Sequence, residues 1–465
     1  MAQSSTIDRL AASLRGEIAE LRPGERLAAS RDLVRRHRAS PVTVSRAIAL
    51  LVAEGLVTTR PGAGTYVADR IPLPGGREAD LSWQTVVLGD RVIDASALQV
   101  YLEPIPVGTI SLAGGYAHPS LLPTRPLSAA LSRAIRRADA WERPPLAGVQ
   151  ALRTWFAESI PGDITAEDIV ITSGGQSALS VALRAIVGQG APVLVEAPTY
   201  PGVLAAARAA GVRPMPVPTD TYGIRPDLLA ETFGLTGARV VYVQPTFHNP
   251  TGTVLRAARR SELLDVAARA GAFVIEDDYA RHLAHEGPAP PPLIADDEDG
   301  RVIYIASLTK AASPSLRVGA LVARGPVAER LRALRIVDDF FVARFMQEAA
   351  VELVTSSSWQ RHLASLSAAL RRRKQTMLAA LAADLPDLRV PNVPRGGMHV
   401  WAQLPDGVDE SALAAACRQS GVLVSVGRPY FAAEPPGAFL RLSFSAAPHL
   451  DDIHVAVERL AAILK

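Results

Sequence analysis

Lysine is rare in this chain of 465 residues, because only three of its 49 lysine and arginine residues are lysine: Lys310, Lys374 and Lys465. Lys310 ends the motif "SLTK", which follows an apolar run, and Arg317 comes seven residues later. A lysine amine that is removed from water can lose its proton and attack an aldehyde, whereas a guanidinium stays protonated. The pattern predicts a nucleophilic amine at Lys310, although Lys310 taken alone also fits a surface charge or an ion-pair partner.

Four more polar clusters follow β-rich apolar runs, in "TSGGQ", "TYPG", "HNPTG" and "DDY". Asp277 ends a buried run, where a carboxylate needs a cation such as a protonated pyridine nitrogen. Asn249 and Tyr279 offer donors for a phenolate oxygen, and Tyr200 offers an aromatic ring face. Together with an aldehyde-reactive amine and a phosphate, these groups predict pyridoxal 5′-phosphate.

The phosphate of this cofactor is expected at the start of a helix. Glycines after "TS" leave backbone N–H groups free at a helix N-terminus, where the helix dipole favours an anion. A tight strand-to-helix turn explains the same glycines equally well. The residues expected around the phosphate are Ser173, Gly174, Gly175, Gln176, Ser307, Thr309 and Arg317.

The elements that position these residues alternate along the chain. The runs "DIVITS", "PVLVEAP", "RVVYVQP", "AFVIEDD" and "VIYIAS" have the composition of buried strands, and helical segments separate several of them. This alternation predicts an α/β fold with a mostly parallel central sheet that helices cover on both faces. Because ligands bind at the carboxyl ends of such strands, we expect the polar clusters to meet in one crevice.

The first 70 residues show a different pattern. Apolar residues at helical spacing, the segments "SRDLVRRH" and "SPVTVSRAIALLVAEG", and the run "LVTTRPGAGTYVA" predict three helices followed by a hairpin. This order is typical of a winged helix-turn-helix, whose third helix enters the DNA major groove. Eleven Arg against seven Asp and Glu give the segment a net charge of +4, which suits phosphate contacts. A solvated basic face and a protein-binding helix-turn-helix are the alternatives.

The segment "LAASRDLVRRHRASPVTVSRAIALLVAEGLVTTRPGAGTYVA" resembles the GntR-type DNA-binding domain, including "LLVAEGLV" and "GAGTYV". The family usually has arginine where this chain has Pro41 and Ser45, so the bases that are read do not follow from the resemblance. The resemblance implies that the residues in contact with double-stranded DNA include Arg31, Thr43, Arg46 and Gly64.

From "SLAGGYAHPSLLP" to the carboxyl terminus the chain resembles the fold-type I aminotransferases, above all in "HNPTG" and in "SLTK" followed by Arg317. The resemblance implies a Schiff base at Lys310 as the catalytic residue, and Arg441 in "FLRLSFS" as the group that holds a substrate carboxylate. "WERPPLAGVQ" lacks the tyrosine with which the family contacts the phosphate of the partner subunit. The implied cofactor-binding residues are Ser173, Gly174, Gly175, Gln176, Tyr200, Asn249, Asp277, Tyr279, Ser307, Thr309, Lys310 and Arg317.

A GntR-type head on an aminotransferase-like body is the arrangement of the MocR-type bacterial regulators. The resemblance implies a homodimeric transcriptional regulator that binds operator DNA and senses an amino compound, or the cofactor itself, through Lys310. An active aminotransferase that uses an amino acid and a 2-oxo acid is the alternative, and a cofactor-binding scaffold without a DNA role is a third. The expected domains are a head (1–70), a linker (71–110) with a helical segment, and a body (111–465). Within the body we expect a large part at about 145–330 and a smaller α+β part at about 340–465.

Composition narrows the class of protein. With 48% apolar and 20% charged residues and no long apolar run, the chain is expected to be a cytoplasmic globular protein without a signal peptide or membrane span. A single cysteine, Cys417, excludes an intrachain disulfide and is expected to pack within a helix. No metal site is expected, because His282, His285 and Glu286 fit a solvated helical turn.

Overall fold

The chain forms two compact units that divide between Arg91 and Val92, inside the segment expected to be a linker. Residues 61–62, at the turn of the expected hairpin, and much of 69–103 lie outside the described residues. The residues that the computed structural model describes are 6–60, 63–68, 80–88, 95–99, 102 and 104–464.

The amino-terminal unit contains the predicted three helices and hairpin, followed by one short helix. In chain order its elements are α1 (Thr6–Glu20), α2 (Ser30–His37), α3 (Pro41–Ala53), β1 (Val57–Arg60), β2 (Gly64–Val67) and α4 (Ser82–Leu88).

One apolar core holds the three helices of this unit together. Helix α1 buries Leu10 and Leu14 on a single face, as their spacing of four residues predicts, and Val44 of α3 lies in the same core. Helix α3 begins where the sequence indicates, because the Ser40 hydroxyl accepts a hydrogen bond from the backbone N–H of Thr43. Strands β1 and β2 pair antiparallel.

The carboxyl-terminal unit is a larger α/β structure. Its helices are α5 (Ser96–Gln99), α6 (Thr124–Ala134), α7 (Gln150–Glu158), α8 (Gly175–Ile186), α9 (Pro201–Ala209), α10 (Pro226–Thr236), α11 (Ala257–Ala270), α12 (Pro326–Asp339), α13 (Arg344–Val354), α14 (Ser357–Asp384), α15 (Glu410–Gln419) and α16 (Leu450–Leu464). Its strands are β3 (Ile110–Ser111), β4 (Ile169–Thr172), β5 (Pro192–Ala197), β6 (Arg213–Asp220), β7 (Gly223–Ile224), β8 (Val240–Val243), β9 (Phe273–Asp278), β10 (Val302–Ser307), β11 (Gly319–Val322), β12 (His399–Gln403), β13 (Val422–Leu423), β14 (Ser425–Val426) and β15 (Phe439–Ser443).

Eight strands form the main sheet, in the order β4-β11-β10-β9-β8-β5-β6-β7. The run from β10 to β6 is parallel, whereas β11 is antiparallel to both of its neighbours and β7 is antiparallel to β6. Strands β4, β8 and β11 are buried along their whole length, which explains why they are continuously apolar rather than alternating. The prediction of a mostly parallel α/β sheet is therefore confirmed.

A second, antiparallel sheet, here called the small sheet, consists of β12, β15 and β14. It carries an aromatic cluster on its side, in which the Trp401 ring stacks on Phe439 at 4.9 Å between ring centroids. Strand β13, which comes just before β14, pairs in parallel with β3, so the first strand of this unit lies against its carboxyl-terminal part.

None of the helices in the described ranges has both the length and the apolar character that are needed to cross a membrane.

Candidate functional site

Lys310 lies three residues beyond the end of β10, in a largely buried position. Its Nζ donates a hydrogen bond to the Gly115 carbonyl oxygen at 2.8 Å and lies 3.9 Å from the centroid of the Tyr116 ring. Burial, followed by the positive charge of Arg441, lowers the pKa of the Lys310 amine to about 7, against the opposing effect of Asp277. An amine with this pKa is unprotonated in a large fraction of molecules at neutral pH and is therefore nucleophilic.

Asp277 lies near the end of β9, beside β10 in the sheet, and is only 6% exposed. Its Oδ2 accepts hydrogen bonds from the Tyr242 hydroxyl at 2.6 Å and from Gln244 Nε2 at 2.9 Å. Burial raises the pKa of this carboxyl to about 6, because the two donors are neutral and compensate only in part for lost hydration. Such a carboxylate is stabilised by any cation that reaches it.

Gln244 connects Asp277 to the loop that carries "HNPTG". Its Oε1 accepts the backbone N–H of Asn249 at 3.2 Å, while its Nε2 is bound to Asp277. The Tyr279 hydroxyl donates to the Phe247 carbonyl oxygen at 2.8 Å, in the same loop. The predicted residues Asn249, Asp277 and Tyr279 are thus brought to one place at the strand ends.

The turn before α8 lies against the segment that follows β10. Gly174 has φ of +87°, and a Cβ atom there would lie 2.9 Å from Arg317 Nη2. Arg317 Nη2 donates to the Ser173 carbonyl oxygen at 2.6 Å. A Cβ at Gly175 would lie 3.6 Å from Ser307 Cβ, so the glycines, Ser307 and Arg317 surround the N-terminus of α8.

Hydroxyl groups of three residues, one of them bonded to a carboxylate, lie near the N-terminus of α8. The Ser307 hydroxyl donates to Thr309 Oγ1 at 2.9 Å and accepts the Thr309 backbone N–H at 3.2 Å. The Ser173 hydroxyl donates to Asp339 Oδ2 at 3.1 Å, a contact that the sequence did not suggest. Hydroxyls, free N–H groups and a guanidinium are the donor set that a phosphate binds.

Gln176 and Tyr200 contact each other. The Tyr200 hydroxyl donates to Gln176 Oε1 at 3.1 Å, and Gln176 Nε2 donates to the Gly202 carbonyl oxygen at 3.1 Å. The Tyr200 ring lies directly over Gly202, where a Cβ atom would come within 2.2 Å of a ring carbon. Tyr200 immediately precedes α9, and this contact places its ring beside the start of α8.

Arg441 brings the small sheet into the same site. It lies in the centre of β15 and is 2% exposed. Its Nη1 donates to Asn249 Oδ1 at 3.2 Å, and its Nη2 donates to the Ala113 carbonyl oxygen at 2.7 Å. Residues from the main sheet, the small sheet and the segment after β3 therefore converge around Lys310.

The sequence patterns did not predict several residues of the site. Tyr242 and Gln244 lie in and just after β8, within "RVVYVQP", and both donate to Asp277. Their position directly before "HNPTG" was a usable signal, because neighbouring parallel strands end at the same edge. Tyr116 and the 113–115 backbone have no such signal, since roughly 195 residues separate them from Lys310.

The expectation of a solvated turn at 282–286 is wrong. His282 packs between the rings of Trp155 and Trp359, at centroid distances of 6.1 and 5.8 Å, and His285 is 1% exposed. Burial lowers the pKa of both imidazoles to about 4. No group of three or more candidate ligands for a metal occurs among the residues that the structure describes. Cys417 is buried in α15, as expected.

The four residues predicted to contact DNA lie on α2, α3 and the hairpin of the amino-terminal unit. Arg31 and Arg46 are exposed, and Thr43 binds the Ser40 hydroxyl at the start of α3. Gly64 opens β2 with φ of +117°, and a Cβ there would come 2.8 Å from Arg26 Nε. A surface groove of about 840 Å³ lies among α2, α3 and the hairpin, with a lining that includes Arg31, Arg35, Pro41, Ser45, Thr59 and Thr65.

Two known families match this chain, each within one of its two compact units. The family "Aminotransferase class I and II" matches residues 130–460, and "Bacterial regulatory proteins, gntR family" matches residues 6–67.

Similar proteins include both regulators and enzymes. The HTH-type transcriptional regulator TauR of Rhodobacter capsulatus is 30% identical over 91% of this chain and 89% of its own length. The uncharacterized HTH-type transcriptional regulator YdfD of Bacillus subtilis is 28% identical over 95% and 92%. The 2-aminoadipate transaminase of Thermus thermophilus is 33% identical over 83% of this chain and 98% of its own length.

A solved structure shows the same fold as the larger unit. LysN, an α-aminoadipate aminotransferase of Thermus thermophilus complexed with N-(5′-phosphopyridoxyl)-L-leucine, superposes with a TM-score of 0.76 at 32% identity. The match covers 83% of this chain and 98% of LysN.

Proposed function

Because the chain belongs to the aminotransferase class I and II family and carries a gntR-family regulatory domain, we propose that it is a transcriptional regulator that senses an amino compound through Lys310. The cofactor is pyridoxal 5′-phosphate, which supplies an aldehyde that condenses with a primary amine. The further steps of the proposal concern the residues of this chain.

The residues around α8 and β9 fit the cofactor. A Cβ at Gly174 would displace the Arg317 guanidinium, and the Gly174 turn together with Ser307 and Thr309 offers phosphate donors at a helix N-terminus. Asp277 is a buried carboxylate with two neutral donors and no ion pair among the described residues, so a pyridinium nitrogen would stabilise it. Lys310 would then provide the amine.

The observation that carries the sensing role is the position of Arg441. This guanidinium belongs to the small sheet, yet it binds Asn249 at the edge of the main sheet and Ala113 just after β3. A ligand carboxylate held by Arg441 would compete for both contacts, because a charge-assisted pair is stronger than a bond to a neutral carbonyl. We propose that the ligand thereby changes how β3 and the small sheet are held, and that this change alters DNA affinity.

The DNA-binding step is assigned to Arg31, Thr43, Arg46 and Gly64. We also propose that the protein acts as a homodimer, since two heads suit paired half-sites in DNA. Large exposed apolar side chains in the larger unit, such as Trp141 (77%) and Phe340 (65%), support a partner surface there.

The test measures DNA affinity by fluorescence anisotropy, on duplexes that the protein itself selects from a random pool. We expect amino acids from a panel to change the affinity of the cofactor-loaded protein at least about fivefold. Lys310→Ala should bind DNA normally and lose the response, and Lys310→Arg, which keeps the charge but not the nucleophile, should behave alike. A Lys310→Ala protein that responds like wild type would exclude the sensing role.

A second candidate function is catalysis, which the 33% identity to a transaminase and the lowered pKa of Lys310 both favour. An active aminotransferase converts the aldehyde form of its cofactor into the amine form when it receives an amino acid. Absorbance spectra with single amino acids, without a 2-oxo acid, measure this half-reaction. If no amino acid produces the amine form within hours, while ligands still change DNA affinity, the protein is a sensor and not an enzyme.

A further inference from the structure

Helix α3 carries an exposed valine on the face that points away from the core of the amino-terminal unit. The buried residues of this helix share one face, at spacings of three and four residues: Val44, Ala47, Ile48 and Leu51. Val42 and Arg46, which are four residues apart, lie on the opposite face. Val42 is 63% exposed, more than any other large apolar residue that the structure describes in the three helices and the hairpin.

The start of α3 holds Val42 in a fixed position. Pro41 is the first residue of the helix, and its ring fixes the backbone angle φ. The Ser40 hydroxyl accepts the backbone N–H of Thr43 at 3.1 Å, which closes the first turn around Val42. A β-branched side chain has few rotamers in a helix, so Val42 presents its two methyl groups in a defined direction.

The surroundings of Val42 suit a polyanion. Helix α3 contains no acidic residue, and Arg46 places a positive charge one turn beyond Val42. The neighbouring helix α2 carries exposed Arg31 and ends at exposed Arg38. A single exposed apolar residue needs no explanation on an ordinary surface. On the outward face of the third helix of a gntR-family domain, it lies where such helices enter the major groove of DNA.

The chemistry of valine restricts what Val42 can bind in that groove. Its side chain has neither a donor nor an acceptor, so it cannot form a hydrogen bond with a base edge. Donors and acceptors occupy most of the floor of the major groove, and covering one of them with a methyl group costs free energy. The exception is the C5 methyl group of thymine, because its contact with an apolar side chain removes apolar surface of both groups from water.

We propose that Val42 reads a thymine of the DNA site through contact with its C5 methyl group in the major groove, while Arg46 binds a phosphate of the DNA backbone nearby. This inference rests on the proposed function, since it specifies the DNA that the amino-terminal unit recognises. The partner is a duplex that carries thymine at one fixed position of each half-site.

The experiment removes the methyl group from the DNA and keeps every hydrogen-bonding group of the base. A duplex that the full-length, cofactor-loaded protein selects from a random pool is synthesised with deoxyuridine in place of one thymidine at a time. Fluorescence anisotropy measures the affinity of each duplex. At one position of a half-site, wild type should bind the deoxyuridine duplex about three- to tenfold more weakly, which is the size of one buried methyl contact.

Two substitutions of valine on the same helix separate contact with thymine from a structural role. Val42→Ala shortens the side chain and should bind the thymidine and deoxyuridine duplexes equally. Its dependence of affinity on salt should stay that of wild type, because no phosphate contact is lost. The matched control is Val52→Ala, the same change at a valine of 39% exposure near the C-terminal end of α3, which should keep the wild-type sensitivity to deoxyuridine.

Each outcome has a distinct meaning, and thermal unfolding shows whether each variant is folded. Wild type that binds every deoxyuridine duplex as tightly as the thymidine duplex, or Val42→Ala that keeps the wild-type loss, would overturn the reading of thymine by Val42 and leave the sensing function intact. Loss of the sensitivity in Val52→Ala as well would identify a structural effect and contradict a direct contact. A wild-type protein that selects no duplex from the pool would instead overturn the proposed function.

Discussion

The two units of this protein use charged side chains in opposite environments. Arg31 and Arg46 lie exposed on the helices of the amino-terminal unit, whereas Lys310 and Asp277 are buried at the strand ends of the larger unit. Exposed charges remain hydrated, so their interactions are screened by salt and suit a polyanion. Buried charges lose hydration, so their pKa values move and their chemistry depends on pH. We therefore expect DNA binding by the amino-terminal unit to depend strongly on salt concentration, and the chemistry of the larger unit to depend strongly on pH.

The largest effect is expected on cofactor affinity, when a buried carboxylate of the larger unit is replaced. Asp277→Asn removes the carboxylate that we propose pairs with the pyridinium nitrogen, and loss of one partner of a buried ion pair costs about 3–5 kcal/mol. We expect the dissociation constant of pyridoxal 5′-phosphate to rise by at least about a hundredfold, measured by equilibrium dialysis. Asp299→Asn, at an exposed carboxylate in the same unit, is the control; equal affinities in the two variants would contradict the assignment.

The same substitution should have the opposite effect on the cofactor-free protein. Burial raises the pKa of Asp277 to about 6 from 3.8, so the folded state binds more protons than the unfolded state between these values. This carboxyl therefore destabilises the fold increasingly as pH rises from about 4 to 6, by on the order of 2–3 kcal/mol in total.

Comparing the two proteins isolates this carboxyl from His282 and His285, whose lowered pKa values act in the opposite direction. In urea denaturation of the cofactor-free proteins, the stability of Asp277→Asn relative to wild type should increase from pH 4 to pH 6 and then level off. A difference that does not vary with pH would contradict the raised pKa.

A pair of glycines tests the geometry of the phosphate region. Gly174→Ala places a Cβ where φ is +87° and Arg317 is 2.9 Å away, and should cost about 1–3 kcal/mol of stability and weaken cofactor binding. Gly237→Ala, at φ of +66° after α10 with open space around it, should cost only about 1 kcal/mol and leave the cofactor affinity unchanged. Thermal unfolding and cofactor titration measure both; equal cofactor affinities would show that the turn does not hold the phosphate.

The smallest effects are expected on DNA affinity, when single exposed arginines of the amino-terminal unit are replaced. Arg31→Ala or Arg46→Ala should weaken DNA binding about tenfold each and reduce the slope of log affinity against log salt by about 1. Arg15→Ala, which removes an exposed ion pair with Glu54 on the same unit, is the matched control and should leave both quantities unchanged. Cofactor spectra should be the same in all three variants. An unchanged salt slope in Arg46→Ala would exclude a phosphate contact by this residue.

Local patterns predicted much of the architecture. Spacing of apolar residues and the Ser40-Pro41 start predicted α3, and continuous apolar runs predicted the buried strands, because such features depend on neighbours within a few residues. The polar groups at strand ends were predicted to meet because parallel strands end at one edge. The residues that were missed or misjudged, such as Gln244 and His282, depend on which distant element packs against them.

The sequence by itself determined the two types of unit, the order of their elements and the edge where Lys310, Asp277 and Asn249 meet. The tertiary structure decided the environment of each group: that the hydrogen-bond donors to Asp277 are neutral, and that Arg441 connects the two sheets. The physical reason is the separation along the chain over which each kind of interaction acts. Propensity and periodicity act between neighbours in the chain, whereas desolvation and hydrogen-bond pairing depend on residues that only folding brings together.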